Sequence, residues 1–205
     1  MAGFLKVLPS SKLRIRYPPQ SSMASLTPSD EDLMQELRTG SIAAFHVLYG
    51  RHHRGVFNFL RRSLGNRQLA EDLLQETFLR VFAHREDYRP SAAFRTWLFT
   101  IARNLLIDQL RQRSAGPELG SDETLERATD PGATPLQQVE AQELGERLQA
   151  AVLRLSLFQR EVLLLSRFAG LSHAEIAQVT GASPEAVRVT LHRALRRLRD
   201  LLGPP

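Results

Sequence analysis

The sequence predicts an all-α protein made of two small helical domains joined by an acidic, flexible linker. Apolar residues recur at spacings of three and four through two long segments, and no segment alternates apolar and polar residues as a β-strand would. Between these segments lies the stretch SAGPELGSDETLERATDPGATP, which is rich in Gly, Pro and carboxylates and has little to bury. A chain of 205 residues suffices for two domains with a modest core each.

The composition narrows the class of protein. Hydrophobic residues make up 42% and charged residues 24%, as is ordinary for a globular chain, and the net charge of +5 favours a polyanionic partner. No apolar run approaches the roughly 18 residues of a membrane-spanning helix, so we expect a cytoplasmic protein without membrane insertion. The sequence has no Cys, which excludes disulfides, thiolate zinc sites and cysteine nucleophiles.

Composition divides the chain into four segments. Residues 1–28 are rich in Ser, Pro and basic residues, and we expect a disordered basic tail. Residues 29–113 and 136–202 are the two helical domains, and residues 114–135 are the linker. Residues 114–146 contain eight carboxylates and only one basic residue, Arg127. The carboxylates are Glu118, Asp122, Glu123, Glu126, Asp130, Glu140, Glu143 and Glu146. Such charge asymmetry is expected of nucleic-acid-binding modules on an acidic linker.

In the first domain, Gly65 and Asn66 are predicted to end one helix, and Pro90 to interrupt another helical stretch. The segment AEDLLQETFLRVF then buries Leu74, Phe78 and Val81 in its helical phase. Its outward face carries Asp72, Gln75, Glu76 and Leu79. DNA would repel an acidic stripe with an apolar residue in it, which favours a protein partner over the alternative of a simple solvated face.

The segment FRTWLFTIARNLLIDQLRQR is the next long helix. Its predicted buried stripe is Phe94, Leu98, Ile101 and Leu105. Its opposite face carries Thr96, Thr100, Arg103, Asn104 and Arg111. This set of side chains is suited to single-stranded DNA. Arg can bind phosphates, Asn and Thr can bind base edges, and the nearby aromatic rings can stack on bases. Trp97 lies at the edge of the stripe, where it is either a core residue or a stacking platform.

The second domain contains the pattern of a helix-turn-helix. Ser172 and Glu175 form a capping box at the start of one helix, and Gly181 supplies the turn. Ser183 then caps a second helix that begins with Pro184. This geometry places a second helix in the DNA major groove.

Helical phase assigns two faces to the second helix. The predicted buried stripe is Val187, Leu191, Ala194, Leu195 and Leu198. The predicted DNA face is Glu185, Arg188, Val189, His192, Arg193 and Arg196. Val189 lies near the centre of that face, where its methyl groups would meet a thymine methyl; the plain alternative is an exposed valine without a role.

These three motifs, in this order, resemble the sigma-70 family of bacterial transcription initiation factors, and in particular its extracytoplasmic-function group. The resemblance covers roughly residues 43–113 and 136–202. AEDLLQETFLRVF resembles the family's core-polymerase-binding segment, and FRTWLFTIARNLLIDQLR the promoter-melting and minus-ten segment. LSLFQREVLLLSRFAGLSHAEIA and the helix after it resemble the domain that reads the minus-thirty-five element.

The resemblance implies a dissociable subunit of RNA polymerase that is not an enzyme and has no cofactor or metal. Its partners would be core RNA polymerase, promoter DNA as duplex and as melted strand, and an anti-sigma factor as a further candidate. Residues at family pattern positions are Asp72, Gln75 and Glu76, and then Trp97, Arg103, Asn104 and Asp108. This sequence departs from the family at the start of the second helix. The family commonly has a Gly-Thr-Val-Lys-Ser-Arg-like run there, whereas residues 185–190 are EAVRVT. Promoter preference is therefore the property that transfers least from the family to this chain.

Two other classes of protein are alternatives to a sigma factor. A stand-alone helix-turn-helix regulator explains the second domain but leaves the acidic stripe and the Trp97 helix without roles. An enzyme is disfavoured because the sequence has no P-loop, no G-x-S-x-G and no H-E-x-x-H. His52 and His53 are adjacent, and neighbouring residues do not share a helix face.

Overall fold

The computed structural model describes residues 27–89, 93–114 and 135–203, and every regular element in these ranges is a helix. The α-helices are α1 (Asp30–Arg38), α2 (Ile42–Leu64), α3 (Arg67–Ala83), α4 (Phe94–Ser114), α5 (Pro135–Leu153), α6 (Leu157–Leu164), α7 (His173–Thr180) and α8 (Pro184–Leu202). A π-helical turn, Leu165–Ala169, continues α6. The predicted all-α class is therefore confirmed.

The predicted tail and linker fall almost entirely outside the described residues, which omit 1–26, 90–92, 115–134 and 204–205. The predicted interruption at Pro90 lies outside them as well. Among the helices that are described, none is both long and apolar enough to span a bilayer.

Helices α1–α4 are called the first half. Its helices α1, α3 and α4 pack around α2. The start of α4 is tied to α1, because the backbone N–H of Phe94 donates a 3.0 Å hydrogen bond to Oε1 of Glu31. The rings of Tyr88 and Phe94 contact Trp97 with centroids 5.3 and 6.2 Å apart. Trp97 is half-buried at the rim of this aromatic cluster, as its helical phase predicts.

The junction between α2 and α3 follows the sequence with one correction. Gly65 ends α2 in the left-handed conformation, with φ of 68°, as predicted. Asn66 does not help to end α2. Its side chain instead accepts a 2.9 Å hydrogen bond from the N–H of Leu69 and so caps the start of α3.

Helices α5–α8 are called the second half. The helix-turn-helix consists of α7 and α8, and its predicted caps are all present. Ser172 and Glu175 form the reciprocal capping box, and Gly181 ends α7 with φ of 74°. The Ser183 side chain accepts a 3.1 Å hydrogen bond from the N–H of Ala186, and Pro184 is the first residue of α8.

The two halves pack directly against each other. Helix α2 contacts α5, α6 and the π-helical turn, and helix α4 contacts α7 and the same turn. Buried apolar side chains of both halves belong to one continuous cluster, which includes Phe59 and Leu60 of α2 and Leu164 and Leu165 at the end of α6. The sequence predicted two domains but not that they close on each other.

Candidate nucleic-acid interfaces and protein-binding surface

The outer face of α8 carries the residues predicted to meet duplex DNA. Glu185, Arg188, His192, Arg193 and Arg196 are all exposed. Val189, between them, is half-buried rather than fully exposed. The face therefore presents guanidinium groups around a partly covered aliphatic side chain, a combination suited to phosphates and to a thymine methyl.

An ion pair at the start of α8 orders one of these guanidinium groups. Nη2 of Arg188 donates a 2.6 Å hydrogen bond to Oε1 of Glu185, and Nε of Arg188 donates a 3.1 Å hydrogen bond to Oε2 of Glu185. The hydrogen bonds and the charge of Arg188 lower the pKa of Glu185, so this carboxyl is ionised at neutral pH. Both side chains are exposed, at 64% and 67%, and an exposed ion pair is weak. Arg188 is therefore available to a competing phosphate or base.

The buried side of α8 is narrower than predicted. Val187 and Ala194 are fully buried, and Leu191 and Leu198 are partly buried. Leu195 was predicted to be buried, and this is wrong: 47% of it is exposed. It follows Ala194 by about 100° around the helix and so falls outside the arc that the neighbouring helices cover.

The acidic face of α3 is largely as predicted. Asp72, Gln75 and Leu79 are exposed, and Leu79 is unusually so for its size, at 55%. Glu76 is half-buried and accepts a 2.8 Å hydrogen bond from Nε of Arg80 one turn later. Asp72 accepts a 3.3 Å hydrogen bond from Nε2 of Gln68. The face thus combines two hydrogen-bonded carboxylates, an amide and an exposed leucine.

Beside this face lies an open groove of about 670 Å³ between α2 and α3. It explains why Leu74, predicted to be buried, is only half-buried, since this side chain lines the groove. Gln75 and Leu79 line it from α3, and Tyr49 and Phe57 from α2. Such an apolar groove with a polar rim is typical of a protein-docking surface.

The groove residues of α2 were missed by the sequence reasoning. They recur at every fourth position, as Phe45, Tyr49, His53 and Phe57. Tyr49 and His53 stack, with ring centroids 5.1 Å apart and planes 8° from parallel. This spacing of four was the signal that would have found them, because it defines one helix face.

The outer side of α4 contains a small open cavity of about 290 Å³. Trp97, Ile101 and Asn104 line it from α4, and Arg80 of α3 with His84 and Asp87, which follow α3, line the other side. Ile101 was predicted to be buried but is half-buried, because it forms part of this cavity wall. An indole ring beside amide, guanidinium and hydrogen-bonded imidazole and carboxylate groups is suited to one unstacked base.

The remaining residues predicted on the DNA face of α4 do not form one open surface. Asn104 and Arg111 are exposed, and Thr100 is half-buried. Thr96 was predicted on the outer face, and this is wrong: only 4% of it is exposed. Its predicted phase took no account of the second half, which packs on α4 through α7 and the π-helical turn.

Arg103, also predicted to bind DNA, is held by the second half. Its Nη2 donates a 3.2 Å hydrogen bond to Oε2 of Glu161 in α6, and its Nε lies 3.1 Å from Oε1, off the line of a hydrogen bond. Only 1% of Glu161 is exposed. Burial raises the pKa of Glu161, and the charges of Arg103 and Arg160 partly oppose that shift.

No cluster of three or more metal-ligating side chains occurs among residues 27–89, 93–114 and 135–203. The described residues present a basic helix face on α8, an apolar groove with a polar rim between α2 and α3, and a small cavity on α4.

Comparison with known families finds two matches, in the order of the two halves. The family described as Sigma-70 region 2 matches residues 48–116, and the family described as Sigma-70, region 4 matches residues 145–198. The first covers the α4 cavity and the groove except for Phe45, and the second covers α7 and all but the last four residues of α8.

Two relatives match most of this chain. RNA polymerase sigma factor CarQ of Myxococcus xanthus is 40% identical over 171 residues, which are 83% of this chain and 95% of CarQ. ECF RNA polymerase sigma factor SigE of Mycolicibacterium smegmatis is 35% identical, over 86% of this chain and 70% of SigE.

Solved structures resemble the whole fold. CnrH, in complex with the cytosolic domain of CnrY, superimposes with a TM-score of 0.66 at 27% identity, over 85% of this chain and 97% of CnrH. The sigma factor RpoE of Bartonella quintana, in complex with the anti-sigma factor NepR, superimposes with a TM-score of 0.64 over 78% of this chain and 98% of RpoE. At 24% identity, the second likeness shows the fold alone.

Proposed function

The chain belongs to the sigma-70 family of RNA polymerase sigma factors, in its extracytoplasmic-function group, and we propose that its two halves divide the work of promoter-specific initiation. In this proposal residues 29–113 bind core RNA polymerase and the minus-ten element, and residues 136–202 bind the minus-thirty-five element. Residues 114–135 connect the two. The protein itself catalyses no reaction; the polymerase does.

The surface proposed for core polymerase is the outer face of α3 with the groove beside it. Leu79 and Gln75 belong to both, and Asp72 and Glu76 flank them with negative charge. The exposed leucine and the groove supply apolar area, and the carboxylates select a basic partner surface. Four residues are therefore proposed to contact polymerase: Asp72, Gln75, Glu76 and Leu79.

The surface proposed for the minus-ten element is the cavity on α4. A flipped base would enter beside Trp97 and Asn104, and stacking there is worth about 1–3 kcal/mol per base against the free energy of unpairing. Thr100, Arg103 and Arg111 would contact the strand that leads away from it. Thr96 is buried, so its proposed contact with the strand requires that this side chain first become exposed.

The surface proposed for the minus-thirty-five element is the outer face of α8. Arg188, Arg193 and Arg196 would bind phosphates or guanine edges, and Glu185, Val189 and His192 would contact bases. This assignment is supported by the caps of α7 and α8. They define the two helices as a helix-turn-helix with this face outward.

A regulatory partner is part of the proposal. Because the similar protein CnrH is solved with the cytosolic domain of a second protein, an inhibitor of the anti-sigma class is proposed here too.

Promoter opening by the reconstituted holoenzyme tests the proposal. With core polymerase bound, permanganate should modify minus-ten thymines, and Asn104→Ala should reduce that modification about tenfold, equivalent to about 1.4 kcal/mol. Gln112→Ala, also exposed on α4 but outside the cavity, is the matched control and should leave opening unchanged. Equal opening by the two variants would contradict the assigned minus-ten cavity.

A further inference from the structure

The first turn of α1 carries three consecutive carboxylates, Asp30, Glu31 and Asp32, and each has a different partner. Asp32 completes a capping box with Ser29. The Ser29 hydroxyl donates a 2.7 Å hydrogen bond to Oδ2 of Asp32 and accepts one of 3.1 Å from the Asp32 N–H. This box fixes the backbone of the turn, so the other two carboxylates are held in place to bind neighbouring helices.

Asp30 joins this turn to α2. Its Oδ1 lies 2.7 Å from Nη1 of Arg51, and its Oδ2 lies 2.6 Å from Nε2 of His52. The side chains of Asp30 and His52 are only 19% and 11% exposed, so this contact is largely shielded from solvent. Nη1 of Arg51 also donates a 2.9 Å hydrogen bond to the carbonyl oxygen of Pro28, just before the turn. Helix α2 thus holds the first turn of α1 from two adjacent positions.

Glu31 joins the same turn to the start of α4. Its Oε1 accepts the 3.0 Å hydrogen bond from the N–H of Phe94, the first residue of α4. The first N–H groups of a helix have no acceptor within that helix, and the helix dipole favours a carboxylate beside them. Burial, and then the charges of Glu31 and Asp30, raise the pKa of Tyr88 to about 12, so a protonated phenol lies near these carboxylates. Helix α1 therefore fixes where α4 begins.

The residues held by α1 are in ring contact with one wall of the α4 cavity. The ring centroid of His52 lies 5.3 Å from that of Phe94, which is fully buried. Phe94 and Tyr88 in turn contact the indole of Trp97, at centroid distances of 6.2 and 5.3 Å. Trp97 lines the cavity and lies about one turn after Phe94. Because packed side chains transmit displacements, a shift of the first turn of α4 would move this indole.

From these contacts we infer that Glu31 and His52 are positioning residues for the captured minus-ten base: they place the first turn of α4, and with it the indole of Trp97, where an unstacked base can stack. The inference rests on the proposed role of the α4 cavity. Glu31 and His52 are not among the described residues that line this cavity, so they act through Phe94 and Trp97. A ring that is already held in place binds more tightly, because less freedom is lost on stacking.

The test uses two substitutions of Glu31 in the full chain. Glu31→Ala removes the acceptor for the Phe94 N–H, whereas Glu31→Gln keeps an amide oxygen that can accept the same hydrogen bond. Glu36→Ala, at an exposed position later in α1, is the matched surface control. His52→Ala removes the ring contact with Phe94 and serves as a second variant if Glu31→Ala unfolds the first turn of α1. Circular dichroism checks that each variant keeps its helices.

The first readout is intrinsic fluorescence of the free chain, which reports Trp97 alone because the sequence has a single Trp. Glu31→Ala and His52→Ala should shift the emission to longer wavelength and increase quenching by acrylamide, since the indole is no longer held in the aromatic cluster. Glu31→Gln and Glu36→Ala should keep the wild-type spectrum. Wild-type spectra in both alanine variants at Glu31 and His52 would overturn the inference.

The second readout is the affinity of the reconstituted holoenzyme for a single-stranded oligonucleotide selected from a randomised pool, and for copies with an abasic site at each position in turn. The position at which the abasic site weakens wild-type binding most is the captured base. Glu31→Ala should weaken binding to the intact oligonucleotide about tenfold, within the range that stacking of one base contributes. It should leave binding to the abasic copy nearly unchanged, because no base is then present to stack.

The two ways in which this experiment can fail are distinguishable. Equal weakening of the intact and abasic oligonucleotides by Glu31→Ala would indicate a general loss of folding and overturn the inference, while the proposed cavity would stand. Binding by Glu31→Gln as weak as that by Glu31→Ala would also overturn the inference. If an abasic site at no position weakens wild-type binding, the proposed minus-ten role of α4 fails, and the inference fails with it.

Discussion

Nη2 of Arg103 in α4 donates a 3.2 Å hydrogen bond to Oε2 of Glu161 in α6, joining the two halves of the chain. Neither residue could have been paired with the other from sequence, since they lie 58 positions apart. The pair connects fold and function, because one partner is proposed to bind DNA and the other is almost fully buried.

Breaking this pair should reduce the stability of the closed chain. Glu161→Leu leaves the charges of Arg103 and Arg160 without their anion, and we expect a loss of about 2 kcal/mol in the free energy of unfolding, measured in urea. This is below the roughly 3–5 kcal/mol of a fully buried pair, because part of Arg103 meets solvent. Adding Arg103→Met should recover at least half of the loss. A loss below about 0.5 kcal/mol in the single variant would show that the pair adds little.

Polymerase binding should depend on the exposed leucine of α3. Leu79→Asp removes apolar contact area beside the groove, and we expect core-polymerase affinity to fall at least about tenfold in a competition assay. Leu144→Asp is the control, because Leu144 is similarly exposed, at 59%, but lies on α5 in the second half. Equal effects of both substitutions would remove the α3 face from the polymerase interface.

Two residues of α8 should have separable effects on duplex binding. Val189→Ser should change base preference at one or two positions of the minus-thirty-five element and leave the salt dependence nearly unchanged, because it removes methyl groups and no charge. Arg193→Ala should weaken binding to all sequences and reduce the salt slope by about 1. Binding to a randomised duplex library at several salt concentrations measures both. Cooperative loss of folding in Val189→Ser would mean that this half-buried side chain is structural.

The capping box of α7 should give the fold a measurable acid sensitivity. Hydrogen bonds from the Ser172 hydroxyl and N–H lower the pKa of Glu175 from its ordinary value of 4.5. Since the folded pKa is depressed, the stabilisation is present above about pH 4.5 and is lost as pH falls through the folded pKa. Ser172→Ala should therefore cost about 1 kcal/mol at pH 7 and less at pH 3.

Ser183→Ala is the matched control for this pH dependence. Ser183 caps α8 through the N–H of Ala186, and no carboxylate completes a box there. Its removal should cost a similar free energy of unfolding at both pH values. Identical pH profiles for the two variants would contradict the role assigned to Glu175.

Local signals predicted the helices and most of the outward faces. Caps such as Ser172 and Ser183, and the turn at Gly181, act within a few residues, so their structure follows from sequence alone. The exposed positions of Asp72 and Arg193 follow from helical phase for the same reason. Leu195 is an error at the edge of a predicted face. The apolar stripe of α8 is wider than the part of the helix that its neighbours cover, so Leu195 is exposed.

Contacts between the halves were beyond sequence reasoning. Glu161, in the segment LSLFQREV, is buried, and α4 brings Arg103 to it from 58 positions away. Thr96 is buried although its phase points away from the first core. Both depend on how helices distant in sequence pack on one another, and local periodicity does not encode that packing.

The measurement that tests the central claim most directly is transcription by core RNA polymerase on a promoter library, with and without the purified chain. We predict run-off transcripts only when the chain is present, starting at a fixed distance from a shared pair of elements, and lost on Leu79→Asp. No transcript from any template, together with tight duplex binding by the chain alone, would contradict the account and indicate a stand-alone DNA-binding regulator.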